Sequence, residues 1–436
     1  MGAHVMATTG PFRGDFSKNA LVAVAAGGTY RSVLGNREFS ALLFSQALSV
    51  IGDQLVRLAI ALLVFERTGS AFAASATYAA SYLVYLLGGP FLATLGDRYP
   101  RTTVMVVADL VRAPIVLTLC LDGLPLWTFF VAIMAVGAVA TPFESARSGL
   151  LADLLEGPDY VLGNGVISWV FQAGHVLGFV LGGATLAILS ARGALALDAG
   201  TFLVSAGLVL CFIRRRPAAQ PASDQGTLRR DTREGFHLVV HDARLRRLLS
   251  YGLLSAGAII APEGLAVPVA RGLGGGALAA GLLTAAVPAG YLVGSAAVLR
   301  LAEPRRQALM TTLALLCCVP LLGSPLTDHL EVIAGLWFLA GVGGALNLIS
   351  GATYVQATPR EFRSRAFGVA VTGLNAVQGL VLLAAGGLAA LVGARTAVAV
   401  VAAVALISLG AATRSRLLDP DAHAQENSEL FRCETQ

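Results

Sequence analysis

LGGATLAILSARGALAL, residues 181–197, joins two apolar runs through a turn that carries one charge, Arg192. Residues 385–400, AGGLAALVGARTAVAV, repeat the arrangement with Arg395 at the turn. With its flanks, each run is long enough to cross a bilayer, and its small residues suit close helix packing in lipid. An offset near 204–209 also pairs SAFAAS (70–75) with GALAAG (276–281), and SYLV (81–84) with GYLV (290–293). A set of membrane helices repeated once along the chain is the reading that decides the fold.

The rest of the chain agrees. Its 436 residues are 56% hydrophobic and 13% charged, with a mean hydropathy of +0.73, above the range of soluble domains. Twelve apolar segments fall at roughly 39–65, 71–95, 102–121, 126–150, 164–189, 193–213, 248–270, 275–299, 307–323, 330–354, 365–391 and 394–413. Each is near the ~20 residues a span requires. The predicted fold is an all-α membrane protein of twelve transmembrane helices in two pseudo-symmetric six-helix bundles, 39–213 and 247–413. Tails at 1–38 and 414–436 and a linker at 214–246 complete the chain. Within the linker, RRRPAAQPASDQG reads as flexible and REGFHLVVHDARLRRLL (233–249) as a basic amphipathic helix on the inner leaflet.

Arginine placement sets the orientation. With the N-terminus inside, 24 of the 31 basic residues fall in inner tails and loops. Arg67, Arg192, Arg271 and Arg395 fall outside, and Arg57, Arg112 and Arg147 lie within spans. This positive-inside pattern places both termini in the cytoplasm and explains the net charge of +5 without nucleic acid. The short apolar run LVAVAAGG (21–28) is not read as a signal peptide.

Several chemistries are excluded. The single lysine, Lys18, is followed by Asn19 and lacks the glycine pattern of a phosphate-cradling loop. The five cysteines have no paired spacing and read as reduced and structural. No catalytic Ser, metalloprotease or paired-carboxylate motif occurs, so no enzyme, metal or cofactor is expected. Glu234, His237 and His241 share a face of the linker helix, and a solvated face is the reading preferred to a metal site.

GDRYPRTTVM (96–105) falls in the inner loop after the second span. It resembles the loop signature of major facilitator transporters at Asp97, Arg98 and Arg101; Ala93 stands where that signature has Gly, and Thr102 where it has a second basic residue. NREFSALLFSQALSVIGD (36–53), VADLVRA (107–113) and the linker helix are similar to the macrolide-efflux and enterobactin-exporter branch. GHVLGFVLGG (174–183) is similar to the antiporter motif of helix 5, with Phe179 in place of Pro. The resemblance spans residues 36 to about 413. It implies a proton-coupled exporter of an amphipathic small molecule — a drug, secondary metabolite or siderophore — working by alternating access in the bacterial inner membrane. Its partners would be that molecule, protons and the bilayer, and the protein would act as a monomer. An uptake permease or lipid flippase of the same fold is the alternative; a membrane sensor that transports nothing is disfavoured, because the tails are too short for a soluble domain.

Ionisable groups inside spans are costly and mark function. Asp53 lies near the midplane of the first span with Arg57 one turn on, and Glu263 lies at similar depth in the seventh. A desolvated carboxylate can carry a proton, so Asp53 and Glu263 are the proton-coupling candidates, joined by His175. An interhelical hydrogen bond is the plainer reading of His175. Gly174, Gly178 and Gly182, with Gly183, form a small-residue seam. Arg57, Asn347, Asn375 and Gln378 are substrate-cavity candidates, although neutral polar groups more often glue helices. Asp97, Arg98, Arg101, Asp109, Arg112, Glu144 and Arg147 are predicted to form an inner gate, with Asp97 capping helix 11 near Ser364–Phe367.

Overall fold

The computed structural model describes residues 30–216, 236–359 and 362–417; for 85–98, 303, 364 and 412–417 it describes the backbone alone. The first half contains α1 (Arg37–Thr68), α2 (Ala71–Arg98), α3 (Arg101–Thr118), α4 (Leu126–Leu154), α5 (Gly157–Ile188) and α6 (Ala191–Phe212). The second contains α7 (Ala243–Gly272), α8 (Ala277–Leu299), α9 (Met310–Leu322), α10 (Leu330–Gly343, continued by Leu346–Ala357), α11 (Arg363–Val392) and α12 (Ala394–Leu417). No strand occurs among the described residues. Nine of the described helices are long and apolar enough to cross a membrane. The other three are α2, for which side chains are described only as far as residue 84, α3, which carries Arg101, Asp109 and Arg112, and α9, which has only 13 residues.

Polar caps set the ends. The Asn36 side chain accepts from the backbone N–H of Glu38 and Phe39 at 3.0 and 3.2 Å, opening α1, and Gly69 closes it at φ 63°. Ser70 opens α2 and Ser190 opens α6 in the same way. Asp242 accepts from Arg244 and Leu245 at 2.8 and 3.0 Å and opens α7. That cap corrects the linker reading. Residues 236–241 are helical, but the chain breaks at Asp242, so 233–249 is not one continuous helix; Glu234 lies outside the described residues. The exposed His241 bonds through Nδ1 to the His237 carbonyl, and their rings stack at 3.9 Å.

The packing repeats. In the first half α1 packs on α5 and α6, α3 on α4 and α6, and α2 on α4. In the second, α7 packs on α11 and α12, α9 on α10 and α12, and α8 on α10. A shift of six helices carries one set onto the other. The halves meet along α2–α11 and α5–α8, which the same shift interchanges.

The halves share one apolar cluster. It joins Leu58, Tyr78 and Phe179 of the first half to Leu265, Leu283 and Leu382 of the second. It lies toward the outer face in the arginine-derived orientation. Two inner clusters, one around Phe39, Phe143 and Leu150 and one around Val239, Leu245 and Tyr354, each stay within a single half. Among the described residues, the outer ends are thus sealed to each other and the inner ends are not.

Candidate functional site

A cavity of about 220 Å³ opens inside the first half, lined by all six of its helices. Its polar lining comprises Asp53, Gln54 and Arg57 on α1, Ser81 on α2, Glu144 on α4, His175 on α5 and Asp198 on α6. Val50, Ile60, Val116, Ile133 and Phe171 supply apolar wall.

The glycines of α5 position α1 beside this cavity. A Cβ on Gly174 would meet Val50 Cγ1 at 2.9 Å, one on Gly178 would meet the Ile51 carbonyl at 2.8 Å, and one on Gly182 would meet Leu55 Cα at 3.1 Å. The seam therefore runs against successive turns of α1, and only hydrogen side chains allow that approach. Gly183 faces the other way. A Cβ there would meet the Ala277 carbonyl and Gly281 Cα of α8 at 2.9 Å.

Asp53 and Arg57 share the cavity wall one turn apart, and Arg57 lies 6.0 Å from the Tyr82 ring centroid. Glu263, in α7, is within electrostatic reach of Arg57 from the opposite half. His175 bonds through Nδ1 to the Phe171 carbonyl at 3.0 Å, within its own helix rather than between helices.

The expected gate residues separate. Asp109 and Arg112 lie in the core of the first half, 0 and 1% exposed. Arg112 Nη1 is 3.8 Å from Asp109 Oδ1 and donates to Ser49 Oγ, while its guanidinium sits between the Phe143 and Phe202 rings at 4.7 and 5.2 Å. Ser205 donates to Asp109 Oδ2 at 2.6 Å. Arg147 instead clasps Glu144 at 2.7 and 2.9 Å, and Glu144 accepts from Gln46. Arg101 pairs with Asp153 and donates to the Gly149 carbonyl. Among the described residues no hydrogen bond joins Asp109 or Arg112 to Arg147; the network expected of them is one made when the inner gate closes, and the inner clusters here each stay within one half. The premise of that network was helical spacing, which cannot say that Arg112 faces α1 and α6 whereas Arg147 faces its own Glu144. Asp97 and Arg98 close α2, and their side chains, like that of Ser364, lie outside the described residues.

Three residues expected along the substrate path lie elsewhere than this cavity. Asn347, Asn375 and Gln378 belong to the second half and do not line this cavity. Asn347 accepts from Ser255 of α7 at 2.9 Å, and Asn375 bonds the Val371 carbonyl in its own helix. Asp198 is the residue that sequence reading missed. It is 0% exposed, it lines the cavity, and its Oδ1 accepts from Thr201 at 3.2 Å. The signal was present, because an aspartate inside the sixth apolar span is itself an intramembrane carboxylate.

The family model described as Major Facilitator Superfamily matches residues 42–268 and 263–431. Among curated proteins, the chain is 29% identical over 183 residues to an uncharacterized MFS-type transporter, YfiS, of Bacillus subtilis, covering 42% of this chain and 43% of that one. It is 29% identical over 275 residues to the lysophospholipid transporter LplT of Serratia proteamaculans, covering 62% of this chain and 67% of that protein. It is 26% identical over 276 residues to LplT of Yersinia pestis, covering 61% and 65%. Among solved structures, it is similar to a bacterial homologue of the lysosomal transporter Spinster, with a TM-score of 0.62 at 15% identity over 86% of this chain and 95% of that one. The nucleoside transporter NupG gives a TM-score of 0.69 at 15% identity over 86% and 98%. At that identity the structures speak for the fold alone. The curated relatives named here by substrate are lysophospholipid transporters, and not members of the macrolide-efflux and enterobactin-exporter branch that the sequence resembled.

Proposed function

We propose that this chain, which belongs to the Major Facilitator Superfamily of secondary transporters, moves a single-chain amphiphile of the lysophospholipid class across the bacterial cytoplasmic membrane. The observation that carries the reading is the similarity to lysophospholipid transporters over about three-fifths of the chain. Alternating access is the mechanism it adopts. Two bundles joined by their outer ends would rock about the α2–α11 and α5–α8 contacts and expose the cavity walls to each side in turn. A lysolipid suits such a path, since its polar head needs a wet, charged wall and its single chain can stay against apolar helix faces.

The test is a leaflet-exchange assay. Purified protein in liposomes with a fluorescent lysolipid in the inner leaflet should speed its appearance outside by at least about tenfold over protein-free liposomes, given that barriers of 1.4 kcal/mol correspond to a factor of ten. A diacyl lipid of the same headgroup should move no faster than in the control. Equal rates with and without protein for every lysolipid tried would reject the reading.

Proton-coupled export of an amphipathic drug, metabolite or siderophore is the second reading, supported by the intramembrane carboxylates Asp53 and Glu263. In it, Asp53→Asn and Glu263→Gln should each abolish uphill movement driven by a proton gradient and leave downhill exchange intact. Undiminished proton-driven flux in the double variant would exclude both residues as proton carriers.

A further inference from the structure

The cavity in the first half has more acceptors than donors. Asp198 Oδ2 and Gln54 Oε1 are both buried, at 0 and 3% residue exposure, both line the cavity, and neither has a hydrogen-bond partner. Such atoms are rare, because an unmatched buried oxygen forfeits its hydration without return. The position is held tightly. A Cβ on Gly52 would strike the Asp198 carboxylate and meet Thr201 Oγ1 at 2.5 Å, so Asp198 is pressed against α1 at the residue before Asp53. His175 adds to the imbalance: its Nδ1–H is engaged by the Phe171 carbonyl, which leaves the neutral ring with an acceptor nitrogen.

Charge points the same way. In and behind the cavity wall stand the carboxylates of Asp53, Asp109, Glu144 and Asp198 and the guanidinium groups of Arg57, Arg112 and Arg147. Arg147 is matched to Glu144 and Arg112 to Asp109. Arg57 reaches both Asp53 and, from across the bundle interface, Glu263. With all four carboxyls ionised, one negative charge would be unmatched in the first half, so a proton or another cation has to meet it there. Inside a membrane a bare carboxylate is destabilising unless a proton or another cation meets it.

We propose that this cavity binds one monovalent cation, with Asp198, Gln54 and Asp53 as its oxygen donors. Among the described residues no three His, Cys, Asp or Glu side chains converge to chelate a metal ion. Two carboxylates and an amide oxygen on the wall of one cavity are the donor chemistry of a hard, singly charged group. That group has two sources, a free sodium ion or the ammonium of a transported headgroup. The site rests on the cavity's unmatched oxygens and does not require the lysolipid reading.

Thermal unfolding of the purified full-length protein tests it, since a ligand that binds only the folded state raises the melting temperature saturably. Sodium chloride is titrated against N-methylglucamine chloride at constant ionic strength. In parallel, lysophosphatidylethanolamine, which carries an ammonium, is titrated against lysophosphatidylglycerol, which does not. A saturable rise specific to sodium identifies the free ion, and one specific to the ethanolamine lipid identifies the headgroup. In either case Asp198→Asn and Gln54→Leu should each weaken the apparent affinity by about tenfold or more, as loss of a bond to a charged group predicts. Gln54→Leu leaves every charge in place, so it remains decisive if Asp198→Asn does not fold. The proposal falls if neither titration gives a specific saturable rise, or if Gln54→Leu binds as the native protein does. Transport of lysophosphatidylglycerol alongside such a failure would remove the cation site and leave the transporter reading standing.

Discussion

At the scale of single residues, this protein keeps several ionisable groups in its core, and some of them have closely defined neighbours. Arg112 is the extreme case, 1% exposed, facing Asp109 and packed between two phenylalanine rings. Replacing one member of a buried pair leaves its partner uncompensated, which costs about 3–5 kcal/mol. Arg112→Met should therefore lower thermal stability sharply, and restoring charge balance with Asp109→Asn in the same chain should recover part of the loss. A melting temperature for Arg112→Met equal to that of the native protein would show that the pair is not a stabilising unit. The four arginines that break the positive-inside pattern are likewise accounted for. Arg192 pairs with Asp122 and Arg395 with Asp328, at equivalent turns of the two halves. Arg67 donates to the Leu124 carbonyl, while Arg271, its counterpart in the repeat, reaches across to Glu66.

At the scale of helices, glycine decides which neighbours touch. Gly178 is the tightest point of the α5 seam on α1, with Gln54 Cβ and the Ile51 carbonyl both 2.8 Å from an added Cβ. Gly178→Val should push α5 off α1, distort the cavity wall at Gln54 and destabilise the protein by about 1–3 kcal/mol, as overpacking does. Gly165 of the same helix has open space around it, so Gly165→Ala is the control and should unfold at the native temperature or slightly above. Comparable melting curves for Gly178→Val and Gly165→Ala would remove the seam from the account. The spacing of Gly174, Gly178 and Gly182 was visible in the sequence as a row on one helix face. The identity of the partner helix was not, because a row of small residues says how close an approach is possible and not which helix makes it.

At the scale of the whole molecule, the outer ends of the two halves form the closed side. Ser75 of α2 donates to the Leu382 carbonyl of α11 at 2.6 Å, and a Cβ on Gly281 of α8 would meet the Phe179 carbonyl of α5 at 2.5 Å. Gly281→Val should prevent that closure. Spin labels placed at the exposed outer positions 121 and 326, in a background free of other cysteines, should then report a longer and broader distance distribution than in the native sequence. An unchanged distribution would mean that the α5–α8 contact does not control the outer gate. The Glu66–Arg271 pair crosses the same gate but is 47 and 37% exposed, so it adds at most about 1 kcal/mol. Arg271→Glu should shift the same distance distribution only slightly, and exchanging both charges should restore it. By itself, the sequence determined the membrane class, the near positions of the helices and the twofold repeat. Hydropathy, arginine bias and recurrence are properties of order along the chain, and a bilayer converts that order directly into spans. Only the tertiary structure decided that Asp109 and Arg112 are buried in the core of the first half. It alone brought Arg57 within reach of Glu263, placed Asp198 on the cavity wall, and left Asn347, Asn375 and Gln378 off it. Those facts depend on which helix faces which across distances of several ångströms, and on the azimuth of each side chain, which a spacing of three or four residues constrains only within its own helix.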